Sequence, residues 1–63
     1  MDESVLKHVG QRIRLYRKSR HMSTEQLARM INKSKATVSK YESGQITVDV
    51  VTLFDIAQAL EAI

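Results

Sequence analysis

No proline occurs anywhere in the 63 residues, and the only glycines are Gly10 and Gly44. Proline breaks helices and glycine usually stops them, so the chain carries almost no punctuation against helix. Its apolar residues recur at spacings of three and four, the helical period. Alternation with β-branched residues is confined to Ile46-Thr47-Val48. The expectation is all-α, with room at 7.2 kDa for one domain over residues 1–63. A chain this short buries only about 60% of its unfolded surface, so its helices must be well capped and share one small core.

The spacing predicts four helices. Val5, Val9, Ile13 and Tyr16 fall on one face of a first helix, which starts at Glu3 or Val5 and runs to Arg20. Gly10 lies beside that face, where close packing of another backbone would account for a residue that weakens helices. Ser23 and Gln26 form an S-x-x-Q capping box, with Met22 and Leu27 placed as the hydrophobic staple. The second helix therefore begins at Ser23 and ends near Ile31, where Asn32 can take the left-handed conformation. Ser34 caps a third helix, which runs from Lys35 to Ser43 and stops at Gly44, with Val38 and Tyr41 on its buried edge. Asp49 caps a fourth, with Leu53, Ile56, Ala57 and Leu60 facing inward.

Charge is segregated along this framework. All ten Lys and Arg lie within residues 4–41, alongside a single acid, Glu25. Residues 42–63 carry Glu42, Asp49, Asp55 and Glu61 and no base. A basic part this pronounced attracts a polyanion, although it also serves as an ordinary solvated surface. Other classes are poorly supported. There is no cysteine, and His8 and His21 are the only imidazoles, so neither a disulfide nor a metal centre is expected. No apolar run approaches the ~20 residues of a membrane span, and Met1-Asp2-Glu3 does not open a signal peptide, which makes a soluble cytoplasmic domain the expectation. Neither a paired-carboxylate nor a Ser-His arrangement is present, so no catalytic residue, cofactor or small-molecule substrate is assigned.

The second and third helices are each about two turns long and joined by Asn32-Lys33. So short a connection with a left-handed residue makes the helices cross steeply, as in a helix-turn-helix over residues 24–43. Ala28 is small where the two helices approach. An ordinary antiparallel helix pair in a bundle would use the same apolar spacing.

Four fragments then occur in order: Gly10-x-Arg12-Ile13-Arg14-x-x-Arg17, Met22-Ser23-x-x-x-Leu27-Ala28, Ser34-x-x-Thr37-Val38-Ser39-x-x-Glu42-x-Gly44, and Leu53-x-x-Ile56-Ala57-x-Ala59-Leu60. Together they resemble the Cro/phage-repressor type of helix-turn-helix, the xenobiotic-response-element family, over residues 10–60. The resemblance implies a four- to five-helix bundle of the phage-repressor-like type and a recognition helix formed by the third helix, residues 35–43, in the major groove of double-stranded DNA. It places Lys35, Ala36, Ser39 and Lys40 at base edges. The chemistry agrees, since lysine donates to guanine O6 and N7 and the Ala36 methyl suits a thymine methyl.

Phosphate contacts are implied at Thr37 and Ser43 and suit Thr24, a hydroxyl at a helix N-terminus. Lys33, Arg14 and Arg17 add charge as further phosphate contacts. Relatives of this type also pair Arg17 with Glu42, a bridge that would hold the third helix against the first.

Three departures from the family pattern stand out. His21 occupies the position of the usual glycine after the first helix, although histidine is among the residues that tolerate positive φ. The segment Gln45–Val48 lacks Lys and Arg, and Val48 replaces a frequent proline. The sequence stops at Ile63, before the fifth helix that often dimerises, so it is either a piece of a longer regulator or pairs differently. Val50, Val51, Phe54, Ala62 and Ile63 exceed what a four-helix core needs and suit either a self-association patch or local packing. The expectation is a sequence-specific transcriptional regulator that binds an inverted repeat as a homodimer. The alternative is a protein-interaction module, such as an antitoxin or anti-repressor component, that uses the acidic fourth helix.

Overall fold

The structure, a computed structural model, describes residues 2–61. It contains α1 (Glu3–Ser19), α2 (Thr24–Met30), α3 (Lys35–Ser43) and α4 (Val50–Glu61), and no strand among the described residues. The fold is an all-α helix-turn-helix domain with extents of 31 × 21 × 19 Å.

Each boundary has a local cause. Asp2 caps α1 by accepting from the Ser4 N–H and hydroxyl. Ser23 caps α2 through a complete capping box: its Oγ accepts from the Gln26 N–H at 3.0 Å, and Gln26 Oε1 accepts from the Ser23 N–H at 2.9 Å. Ser34 accepts from the Thr37 N–H at 3.1 Å to open α3. Asp49 accepts from the Thr52 N–H and hydroxyl at the start of α4. Three residues in the left-handed region turn the chain: His21 (φ 56°), Asn32 (φ 58°) and Gly44 (φ 76°). His21 therefore takes the conformation that glycine would adopt more easily, and Asn32 makes the tight turn between α2 and α3.

Both α1 and α2 pack on α3 and on α4. The core they enclose is built from Ile13, Met22, Leu27, Ala28, Ile31, Val38, Tyr41, Ile56, Ala59 and Leu60, with Val9 and Val48 packed at its edge. Leu27 and Val38 are completely buried, which locks the helix-turn-helix pair to the centre of the molecule. No buried side-chain nitrogen or oxygen among the described residues lacks a hydrogen-bond partner.

Two expected faces are rotated. On α1 the buried positions are Gly10, Ile13 and Arg17, while Val5 and Tyr16 are exposed. The stripe turns toward α3, which takes an arginine and a glycine in preference to the outer apolar residues. On α4 the inward residues are Thr52, Ile56, Ala59 and Leu60; Leu53 and Ala57 are exposed. Thr52 turns inward because its hydroxyl is already satisfied by Asp49, so its methyl is free to pack. Val50, Val51 and Phe54 are left 83%, 69% and 60% exposed. Ala62 and Ile63 lie outside the described residues.

Candidate nucleic-acid interface

The outward side of α3 carries Lys35, Ala36, Ser39 and Lys40, all exposed. Its inward side carries Val38 and Tyr41, both buried. The helix is therefore held along one edge, and its polar edge is open to a partner. Its N-terminal turn is stiffened by the Ser34 cap and by a 2.8 Å hydrogen bond between the Ser34 and Thr37 hydroxyls. Thr37 is half-buried as a result, so its hydroxyl is already engaged with Ser34.

Beside α3 lies a polar crevice of about 250 Å³ lined by Arg14, Arg17, Thr24, Ser39, Glu42 and Ser43. Three helices meet there: α1 supplies the arginines, α2 supplies Thr24 at its first position, and α3 supplies the remainder. Thr24 is half-buried, whereas Arg14, Ser39 and Ser43 are exposed. The Ser43 hydroxyl donates to the Lys40 carbonyl at 3.3 Å, a weak bond that leaves its lone pairs outward.

Arg17 and Glu42 have a different status. The two side chains are only 9% and 8% exposed. Arg17 Nε donates to Glu42 Oε2 at 2.7 Å and Nη2 to Glu42 Oε1 at 3.1 Å, the bidentate fork of a strong guanidinium–carboxylate pair. Nη1 donates to the Met22 carbonyl at 2.7 Å. All three guanidinium nitrogens are thus committed within the protein. Arg17 forms a wall of the crevice and neutralises Glu42, so Arg14 supplies the crevice's uncompensated positive charge. The Met22 carbonyl has no side-chain signature, and nothing in the sequence could have announced it as a third partner.

Lys33 stands apart from the crevice, in the turn between α2 and α3, and its charge reaches the Asp49 cap. Hydrogen bonds from the Thr52 hydroxyl and N–H, aided by that lysine, hold the Asp49 carboxyl below its ordinary range. Ser4 does the same for Asp2 through its N–H and hydroxyl. Among the described residues, no cluster of His, Cys, Asp and Glu could hold a metal ion, and no helix is long and apolar enough to cross a membrane.

The fold and the sequence resemble those of known proteins. The solved restriction-modification controller protein C.AhdI from Aeromonas hydrophila is similar in fold, with a TM-score of 0.90 and 32% identity over 94% of this chain and 86% of that one. A curated relative from Rhodospirillum rubrum, described as an uncharacterized transcriptional regulator in the ATPase CF(0) region, is 43% identical over 53 residues, 84% of this chain. The matched segment spans about half (49%) of that relative. The helix-turn-helix family pattern matches residues 13–62. The chain belongs to the helix-turn-helix family of the Cro and phage-repressor type.

Proposed function

We propose that this chain is a DNA-binding module of a transcriptional regulator and that α3 enters the major groove. The observation that carries the reading is the exposed polar edge of α3 beside the crevice of Arg14, Thr24, Ser39 and Ser43. Family membership and the two relatives, one described as a transcriptional regulator and one as a restriction-modification controller, support the same reading. In this assignment Lys35, Ala36, Ser39 and Lys40 face base edges. Arg14, Thr24, Lys33, Thr37 and Ser43 contact phosphate, with Thr37 acting from the capped first turn of α3. Phosphate contacts set the register and base contacts read the sequence. Arg17 acts mainly through Glu42 by fixing α3 against α1.

Two copies related by a two-fold axis would set their α3 helices in half-sites one duplex turn apart, about 34 Å, and so read an inverted repeat. The exposed Val50, Val51 and Phe54 of α4 supply the self-association face. Selection of bound duplexes from a random pool, at stated salt, tests the assignment. Enrichment of an inverted repeat is the expected result. Enrichment of nothing, with only weak salt-sensitive binding left, would favour a protein partner on α4.

A further inference from the structure

We propose that Gly10 is a positioning residue for α3: its missing side chain lets α1 seat directly on the last carbonyls of that helix, which fixes the angle at which the first turn of α3 projects. The inference rests on the reading of α3 as the DNA-contacting helix and adds a determinant of how it reads. Gly10 is buried in the middle of α1, where alanine would be the better helix former. A Cβ placed there would fall against the Tyr41 carbonyl oxygen and 2.5 Å from that of Glu42. Both obstacles are backbone, so neither can rotate away.

The same end of α3 is gripped twice more by α1. A Cβ at Gly44 would lie 2.9 Å from the Lys7 Cα and backbone nitrogen, so these two backbones also touch. Arg17 holds Glu42 through its bidentate pair. All three points fall within residues 41–44, and the contact residues at the opposite end, Lys35 and Ala36, are exposed. Between them Val38 is fully buried and serves as the pivot. With a rise of about 1.5 Å per residue, Ala36 lies about 9 Å along the axis from Glu42, on the far side of that pivot. A displacement of about 1 Å at Glu42, about 6 Å from the pivot, therefore moves Ala36 and Lys35, about 3 and 4.5 Å beyond it, by about 0.5–0.75 Å, which reaches the ~0.5 Å tolerance of a preorganised site.

The test compares Gly10→Ala with Ile56→Val, a core change on α4 that lowers stability without touching this joint. The readouts are amide chemical shifts of the free proteins and affinity for the selected duplex against a scrambled one. Gly10→Ala is expected to move the amides of Lys35 and Ala36, in the first turn, and to weaken binding to the selected duplex by about tenfold or more, with scrambled-duplex binding changed by less than about twofold. Ile56→Val is expected to melt earlier and to do neither. Unmoved amides in the first turn of α3 in Gly10→Ala, or losses of affinity that merely track stability in both variants, overturn the inference. Should Gly10→Ala not fold, Gly44→Asn opens the same joint at a position whose positive φ asparagine tolerates. The same pattern is expected there, and wild-type shifts and affinity would overturn the inference. A wild type that selects no duplex defeats the functional reading instead, and the amide shifts of the free variants still decide the role of Gly10.

Discussion

Arg17 and Glu42 join the first helix to the last turn of the third by a bidentate pair of 2.7 and 3.1 Å, buried on both sides and extended to the Met22 carbonyl. The pair bridges three parts of the fold: α1, the α1–α2 turn and α3. A buried ion pair need not add net stability, because desolvation of both charges offsets their attraction. Its removal from one side is nevertheless costly, since the other charge stays buried and unpaired.

Glu42→Ala should therefore destabilise the fold by about 3–5 kcal/mol. A core this small rarely supplies more than about 3–5 kcal/mol in total, so the variant should be largely unfolded at room temperature. Replacing both partners, as in Arg17→Met with Glu42→Leu, should recover most of that loss. Urea unfolding of the single and double variants measures the difference. Equal stability of Glu42→Ala and the wild type would mean that the pair does not hold the fold together.

The Asp49 cap gives α4 a defined acid sensitivity. Its carboxyl is held below the ordinary aspartate value by Thr52, so the folded state favours the ionised form. For such a depressed group the stabilisation is present in full above the unfolded value, about pH 4, and is lost as pH falls through the folded value. Asp2 contributes with the same sign. Asp49→Asn should flatten the acid limb of the melting curve below about pH 4. An Asp49 carboxyl that titrates by NMR at or above the ordinary aspartate value would contradict this.

Lys40 and Arg14 should separate by the kind of information they carry. Lys40→Ala should cost about 1–3 kcal/mol at one base position and relax preference there. Arg14→Ala should weaken all duplexes alike and reduce the log–log salt slope by about one unit. Binding isotherms over a range of salt, on the selected duplex and its point variants, distinguish the two. A uniform loss for Lys40→Ala would reassign it to phosphate.

The exposed apolar face of α4 should govern association. Val51→Ser with Phe54→Ser should leave the fold within about 0.5 kcal/mol of wild type, because both side chains face solvent in one copy. Sedimentation equilibrium should show self-association weakened by about tenfold or more, the order expected when an aromatic anchor is lost. Unchanged association would move the dimer face elsewhere.

The local signals that proved readable are those set within a few residues, by a side chain that satisfies a nearby backbone group or by a residue that tolerates positive φ. Ser23 with Gln26, Ser34, Asp49 and Gly44 each mark a helix end where the structure has one. The left-handed Asn32 and His21 belong to the same class. Faces were harder to read, because burial depends on which neighbour arrives. Tyr16 and Leu53 satisfy the helical period but stay exposed, and Thr52, a polar residue, turns inward because its neighbour Asp49 satisfies it. In the candidate interface, the grouping of Arg14, Thr24, Ser39 and Ser43 around one crevice arises from three helices meeting, which no linear spacing encodes. Arg17 was legible both as charge and as a pairing partner of Glu42. Only burial shows that its three nitrogens are already committed.

In the proposed function, the outward edge of α3 is the surface that meets DNA. Amide chemical-shift mapping of the intact chain, titrated with its selected duplex at moderate salt, tests it most directly. The largest shifts are expected at Lys35, Ala36, Ser39 and Lys40, with a second group at Arg14, Thr24 and Ser43. Shifts concentrated on α4, or none at saturating duplex, would contradict it.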